Sequence, residues 1–184
     1  MKAVLISIQP KWCELIASGK KTIEVRKTRP KIKTPFRCYI YETKARSDMP
    51  TFVDEDGHVL YTGRGQVIGE FVCDYITDIK PFGFDDIAGF EKQTCLTSAD
   101  IVKYLNGFYG YGWHISDLKI YDKPRELSEF ASFCMVDEKS CASCEHYLFD
   151  SDDVNGYRRW CGVYRRKPLT HPPQSWMYVE ELQE

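Results

Sequence analysis

The stretch on which the reading of this chain turns is Gly19-Lys20-Lys21-Thr22-Ile23-Glu24-Val25-Arg26. A glycine at its head suits a helix stop, because glycine takes a positive φ without a Cβ penalty. Upstream, Pro10 pre-sets the first turn of a helix, and Trp12, Leu15 and Ile16 share one helical face. Downstream, the β-branched Thr22, Ile23 and Val25 predict a strand. Side chains alternate along a strand, so Ile23 and Val25 point one way and Thr22, Glu24 and Arg26 the other. The apolar pair goes to a core, while a carboxylate and a guanidinium project together on the opposite face, with Lys21 at the turn beside them. Two arrangements satisfy this pattern. Either the three ionisable groups converge on a hollow that takes an anionic ligand, or Glu24 and Arg26 pair on a solvated face, worth about 0–1 kcal/mol.

Working outward, Ala3 to Gln9 is a short apolar strand broken by Ser7. From Arg37 to Thr43 the residues alternate, with Cys38, Ile40 and Glu42 on one face and Tyr39 and Tyr41 on the other. The polar, glycine-containing stretch from Lys44 to Gly65 reads as a long loop or loose hairpin. Gln66 to Ile76 is the strongest strand, with Val67, Gly69, Phe71, Cys73 and Tyr75 on one face, Ile68, Glu70, Val72, Asp74 and Ile76 on the other, and both faces largely apolar. Thr97 or Ser98 caps a helix running through Asn106, with Gly107 ending it. Trp113 to Tyr121 is a further strand and Ser175 to Val179 a closing one. Strand, helix, then mostly strands argues against a parallel doubly wound sheet. The expected fold is α+β, mainly β: a small antiparallel barrel with one or two outer helices. Residues 1–131 and 172–184 form the barrel, and 132–171 a cysteine-rich insertion.

The 184 residues fit one domain with a small appendage, and with 43% hydrophobic residues they can fill a core, which excludes wholesale disorder. A net charge of -2 excludes a globally basic coat, so any anion site is a local patch. No apolar run reaches the roughly 20 residues of a membrane span. The N-terminal stretch is too short for a signal peptide, so a cytoplasmic location is expected. The basic patch is the run from Lys20 to Arg37, opposed only by Glu24. Arg26 suits two parallel N–H bonds to a phosphate, and Lys20 and Lys21 suit point-charge contacts. Phe108, Tyr109, Tyr111 and Trp113 offer rings for stacking, worth roughly 1–3 kcal/mol per base, and the glycine-rich spacing of that segment, Gly107, Gly110 and Gly112, allows a ligand close to the backbone. Trp12 reads as core and His114 as structural.

Eight cysteines are many for a reducing compartment. Cys13, Cys38, Cys73 and Cys95 sit in periodic segments and read as small buried apolar residues. Cys134, Cys141, Cys144 and Cys161 crowd together late in the chain, and Cys141-Ala142-Ser143-Cys144 is spaced for a zinc knuckle. With Cys161 it supplies three thiolates. Cys134 is the nearest fourth ligand, with His146 and His171 as alternatives. A closed structural Zn²⁺ site would order a segment too hydrophilic to fold on a core of its own. A redox pair and unliganded thiols are the other readings.

The spacing Gly19, Lys21, Glu24, Arg26 resembles the signature of the ASCH domain, a PUA-like β-barrel family. Leu5-Ile6-Ser7-Ile8, Val67-Ile68-Gly69-Glu70-Phe71, Trp113-His114-Ile115 and Pro172 to Val179 are similar as well. The resemblance implies a cleft lined by Lys21, Glu24 and Arg26 that meets RNA or a nucleotide, in RNA processing or modification. It also implies a hydrolase alternative on the same residues. A small branch of amidohydrolases removes the acetyl group from acetylated cytidine, and other members are described as ribonucleases. That amidohydrolase branch has a Lys and a Thr at this turn; Lys21 matches the Lys, and Glu24 stands where the Thr would be. In a catalytic reading Lys21 activates water or a hydroxyl, Glu24 orients it or shuttles the proton, and Arg26 stabilises negative charge. A further alternative is an adaptor that contacts protein partners through the zinc knuckle.

Overall fold

A computed structural model describes residues 1–44, 63–80, 88–132 and 168–182, and the backbone alone of 52–53, 59–61, 87, 147–149 and 159–161. In chain order the elements are β1 (Lys2–Ile8), α1 (Pro10–Ala17), β2 (Ile23–Arg26), β3 (Phe36–Glu42), β4 (Phe52–Val53), β5 (Val59–Tyr61), β6 (Gln66–Cys73) and β7 (Ile76–Ile79). There follow α2 (Ile87–Thr94), α3 (Ser98–Leu105), β8 (Gly110–His114), β9 (Ser116–Arg125), a 3-10 turn (Leu127–Glu129), β10 (Tyr147–Phe149), β11 (Arg159–Cys161) and β12 (Trp176–Glu180).

The centre of the fold is a five-stranded sheet in the order β12-β1-β3-β6-β9. β1 and β3 run parallel, because the chain between them crosses over through α1 and β2; the other neighbours are antiparallel. β1 is buried on both faces, as an inner strand covered on two sides must be. Val4, Ile6 and Ile8 join Cys38, Ile40, Phe71 and Trp113 in one core. Ala3 and Leu5 join Tyr39, Tyr41 and Val67 in another, on the far side of the sheet.

A second sheet, β2-β8-β7, grows out of the first at a corner. β6 continues into β7, and β8 into β9, so a long two-stranded ribbon bends and passes from one sheet to the other. The bend falls at Asp74–Tyr75 on one strand and Ile115 on its partner, near Asp117, which has a φ of 46°. His114 clasps this corner. Its Nδ1 lies 2.6 Å from Asp74 Oδ1, and its ring stacks on Tyr75 at 4.3 Å. The structural assignment of His114 fits this geometry.

Three expectations are corrected. Among the described residues the sheets do not close into a barrel: the ribbon bends, and β2-β8-β7 and β12-β1-β3-β6-β9 remain separate sheets. The strand expected from Trp113 to Tyr121 is two strands divided at that bend. The shared face expected for Val67, Gly69, Phe71 and Cys73 is divided as well, since Val67 packs with Tyr39 and Tyr41 whereas Phe71 and Cys73 share the other core with Ile68. Register shifts at Ile40/Tyr41 and Val67/Gly69 insert a residue, and one residue flips every later side chain to the other face.

α2 and α3 cover the outer face of the smaller sheet, burying Phe90, Ile101 and Leu105 against Ile23, Val25 and Ile79. α3 has the expected ends: Thr97 closes a capping box with Asp100, and Asn106, in the left-handed region, precedes Gly107 at φ 73°. The helix α2 has no counterpart in the sequence reading. No helix among the described residues is long and apolar enough to cross a membrane. The expected insertion falls mostly outside the described residues, as do Cys134, Cys141, Cys144 and His146; Cys161 is described by its backbone only.

Candidate functional site

Ile23 and Val25 face the helices, as the alternation requires. Glu24 and Arg26 therefore face inward, and that side is not solvent: the five-stranded sheet packs over it. Lys21, Glu24 and Arg26 retain only 1%, 9% and 8% of their side-chain exposure. The solvated-pair arrangement is thereby overturned.

Each member of the cluster is held by a different element. Gly19 ends α1 at φ 72°, and Lys21 N donates to Leu15 O, so the chain reverses tightly. The turn then docks on the end of α2, where Thr22 N donates to Gln93 O. Lys21 Nζ donates to Thr94 O at 2.7 Å, at the carbonyl end of that helix, where the macrodipole favours a cation. The Trp12 ring stands 5.2 Å from the same ammonium. Glu24 bridges the two cations: Oε2 lies 3.3 Å from Lys21 Nζ, and Oε1 lies 3.0 Å from Arg26 Nη2. Arg26 reaches across to the larger sheet, donating from Nη2 to Ser7 O at 2.6 Å and from Nη1 to Ser175 Oγ at 3.4 Å. It thus ties β2 to β1 and to the segment leading into β12.

Trp113 lies opposite Glu24 in the β2–β8 register and so shares its face. It is fully buried, edge-on to Phe36 at 5.8 Å and tilted against Trp176 at 5.9 Å. The stacking role expected of Trp113 is corrected on this point, since neither ring face is open to a base. What Trp113 does offer is its indole N–H. Trp113 Nε1 and Arg26 Nε are buried donors with no acceptor among the described residues. Such groups are few in native proteins and cost free energy when left unmet. Two of them on facing strands, beside a bridged carboxylate, mark a place suited to a ligand that supplies acceptors.

The sequence reading missed part of this neighbourhood. Glu42 is buried at the end of β3 and accepts a hydrogen bond from Arg64 N at 2.9 Å. It acts on the same buried thiol, Cys13, as Glu24 and Arg26 do: burial raises that thiol's pKa, Glu42 and Glu24 raise it further, and Arg26 opposes them. Ser7 and Ser175 were also missed as partners of Arg26. The polar Ser7 inside an otherwise apolar strand was the available signal.

Around the buried cluster the basic run divides. Lys20, Lys27, Arg29, Lys31 and Lys33 are at least partly exposed. Arg37 is not part of the patch. It lies on the far side of the larger sheet, 2.6 Å from Glu70 and 3.0 Å from Glu181. Tyr109 is exposed, at the entry to β8.

The ASCH domain family model matches residues 6–147. The chain belongs to the ASCH domain family. ASCH domains are PUA-like and generally bind RNA. Solved ASCH structures share the fold. The crystal structure of a serine-to-alanine mutant of ZmASCH from Zymomonas mobilis superposes with a TM-score of 0.55 at 17% identity, over 97% of this chain and 89% of that one. A tyrosine-to-phenylalanine mutant of ZmASCH gives 0.54 at 16%, over 98% and 92%, and ASCH from the same organism gives 0.52 at 17%, over 97% and 88%. No curated protein matches the chain. The Gly19-Lys21-Glu24-Arg26 motif of this ASCH domain is the tightly tied element of the site, because its three charged groups meet through one carboxylate.

Proposed function

We propose that this ASCH domain binds RNA or a nucleotide at the Lys21–Glu24–Arg26 cluster, in RNA processing or modification. The observation that carries the reading is the pair of buried, unmet donors, Arg26 Nε and Trp113 Nε1, beside that cluster. A buried charged triad is a weak source of stability alone, since well-packed apolar residues often do as well or better. Its retention here is accounted for by a ligand. A phosphate or a base carbonyl supplies the acceptors that the two N–H groups lack. Glu24 holds the guanidinium flat and fixed, and Lys21 holds Glu24.

The test keeps the charge and removes the donor. Arg26→Lys retains a cation but loses Nε and the planar fork, so affinity for a short labelled RNA is expected to fall about tenfold or more. Trp113→Phe removes the second donor while keeping an aromatic ring. Fluorescence anisotropy with both variants, each checked for folding by circular dichroism, decides the matter. Unchanged RNA and mononucleotide affinity in both variants removes the site. The hydrolase alternative rests on the same side chains and is settled in parallel by incubating the protein with acetylated cytidine and with RNA. However, the Lys21 ammonium is enclosed by Thr94 O, Glu24 and Trp12, which suits a positioning role better than attack on a substrate.

We also propose a structural Zn²⁺ held by Cys134, Cys141, Cys144 and Cys161. What supports it is the backbone register of β10 with β11, in which Tyr147, three residues after Cys144 in the sequence, lies opposite Cys161. Four thiolates suit zinc and leave no open position for catalysis. Elemental analysis of protein purified in reductant is expected to find about one equivalent per chain. Less than half an equivalent ends this proposal.

A further inference from the structure

The two unmet donors of the cluster are sealed, since neither Arg26 Nε nor Trp113 Nε1 meets solvent. A ligand that satisfies them must displace something, and the groups that close on these side chains from the larger sheet are not held equally. Two belong to inner strands. Phe36 stands edge-on to Trp113 from β3, and Ser7 O, on β1, accepts from Arg26. The other two are sequence neighbours where the chain enters the outer strand β12. Ser175 Oγ accepts from Arg26, and the Trp176 ring lies 5.9 Å from that of Trp113. One dipeptide thus touches both donor-bearing side chains.

The backbone of this segment is fastened, and the ring is held differently. Ser7 N donates to Ser175 O at 2.9 Å, and Ser7 Oγ donates to Pro173 O at 2.6 Å. Trp176 is only half-buried, although it packs against the core that contains Trp113. It meets Tyr178 edge-on at 5.4 Å, and its indole Nε1 donates to Thr28 Oγ1 at 3.0 Å. Thr28 is exposed, two residues beyond Arg26 on the chain leaving β2. A hydrogen bond at the surface therefore latches the ring from β12 to the smaller sheet. Water competes for both partners of such a bond, so its net strength is modest.

We infer that the Trp176 side chain is a door over the Lys21–Glu24–Arg26 cluster, latched by Thr28, and that ligand reaches the two donors when the indole swings out. The inference rests on the nucleotide-binding reading above and names what controls access to that site. Two cases exist for the donors. Either they stay unmet at all times, at the cost of two buried orphans, or the wall beside them moves. Of the described groups in that wall, Trp176 is the one suited to move. It stands at the sheet edge, half-exposed, and turns about its own side-chain bonds while Ser7 holds the backbone. A door that closes behind a ligand also excludes water, which strengthens the charged contacts inside.

The first readout needs no ligand. The indole N–H of Trp113 exchanges with deuterium only when it reaches water, so its rate, followed by NMR, reports the open population. In the unaltered protein this exchange is expected to be nearly independent of urea below the unfolding transition, as a local opening is. Exchange that rises steeply with urea reports global unfolding and overturns the door. Thr28→Val keeps the shape of an exposed side chain and removes the acceptor. It is expected to speed Trp113 exchange about threefold or more, with the urea midpoint unchanged. Trp176→Phe loses the same hydrogen bond and narrows the ring, and is expected to do at least as much. Unchanged exchange in both variants overturns the door.

The second readout is stopped-flow association of cytidine monophosphate and of a short labelled RNA. Both are expected to bind faster to Thr28→Val by a similar factor, because the association rate scales with the open population. Faster exchange in the variants, with neither probe binding to any of the proteins, supports the door and overturns the nucleotide reading. Binding at a rate that ignores both variants keeps the site and overturns the door.

Discussion

Glu24→Ala is expected to destabilise the protein by about 3–5 kcal/mol, the cost typical of breaking a buried ion pair by removing one partner. The reason is geometric. One carboxylate serves Lys21 through Oε2 and Arg26 through Oε1, and all three side chains are nearly inaccessible. Removing it leaves two cations in a low-dielectric interior, with Thr94 O, Ser7 O and Ser175 Oγ as their remaining hydrogen-bond acceptors among the described residues. A solvated pair would lose about 1 kcal/mol at most. Urea unfolding with the slope held common measures the difference, and a loss of less than about 1 kcal/mol refutes the buried arrangement. Replacing all three residues together, as Lys21→Met, Glu24→Leu and Arg26→Met, is expected to be far milder than the single change. That contrast separates the triad's contribution to stability from its contribution to binding, which the triple variant loses entirely.

The second large effect is an alkaline loss of stability, caused by three buried thiols. Burial raises the Cys73 thiol to about 12, with Asp74 adding to the shift. Cys38 rises well above its ordinary value through burial, reinforced by Cys73, and Cys13 rises through burial, Glu42 and Glu24. The native state therefore keeps three protons that the unfolded chain gives up near pH 8.5 to 9. Once the unfolded state binds fewer protons, stability falls as pH rises. The contribution is fully present below about pH 8.5 and is lost upward through the folded values, a window that for Cys73 closes near pH 12. Each thiol costs of order 1 kcal/mol per pH unit in that window, so the three together remove roughly 3–4 kcal/mol per unit. Urea midpoints in reductant at pH 7.5, 9 and 10 display the slope, and Cys38→Ala is expected to remove about a third of it. A flat profile between pH 9 and 10 contradicts the burial of these thiols.

The local features were readable where one interaction dominates. Gly19 and Gly107 take the positive φ that a helix stop needs, Thr97 caps α3, and Ile23 and Val25 oppose Glu24 and Arg26 by strand alternation alone. The family could be recognised for the same reason, because its motif is a local pattern of turn and strand. Misreadings began where a long-range event intervened. The face of β6 could not be followed past its bulges, because one inserted residue inverts the pattern and leaves no mark in composition. Trp113 looked like a platform beside a glycine-rich segment, yet the five-stranded sheet encloses it with Phe36 and Trp176.

By itself, then, the sequence determined which charged groups sit together, since Lys21, Glu24 and Arg26 are brought to one turn and one strand face by bonds within a single short segment. Whether that face meets water or a second sheet was decided only in three dimensions. The bend at Asp74–Tyr75 and Ile115 folds β2-β8-β7 over β1 and β12, and contacts between residues more than a hundred positions apart, such as Arg26 with Ser175, close it. Local alternation specifies direction. Burial is a property of what arrives from elsewhere in the chain, and burial is what turns an ordinary ion pair into a candidate binding site.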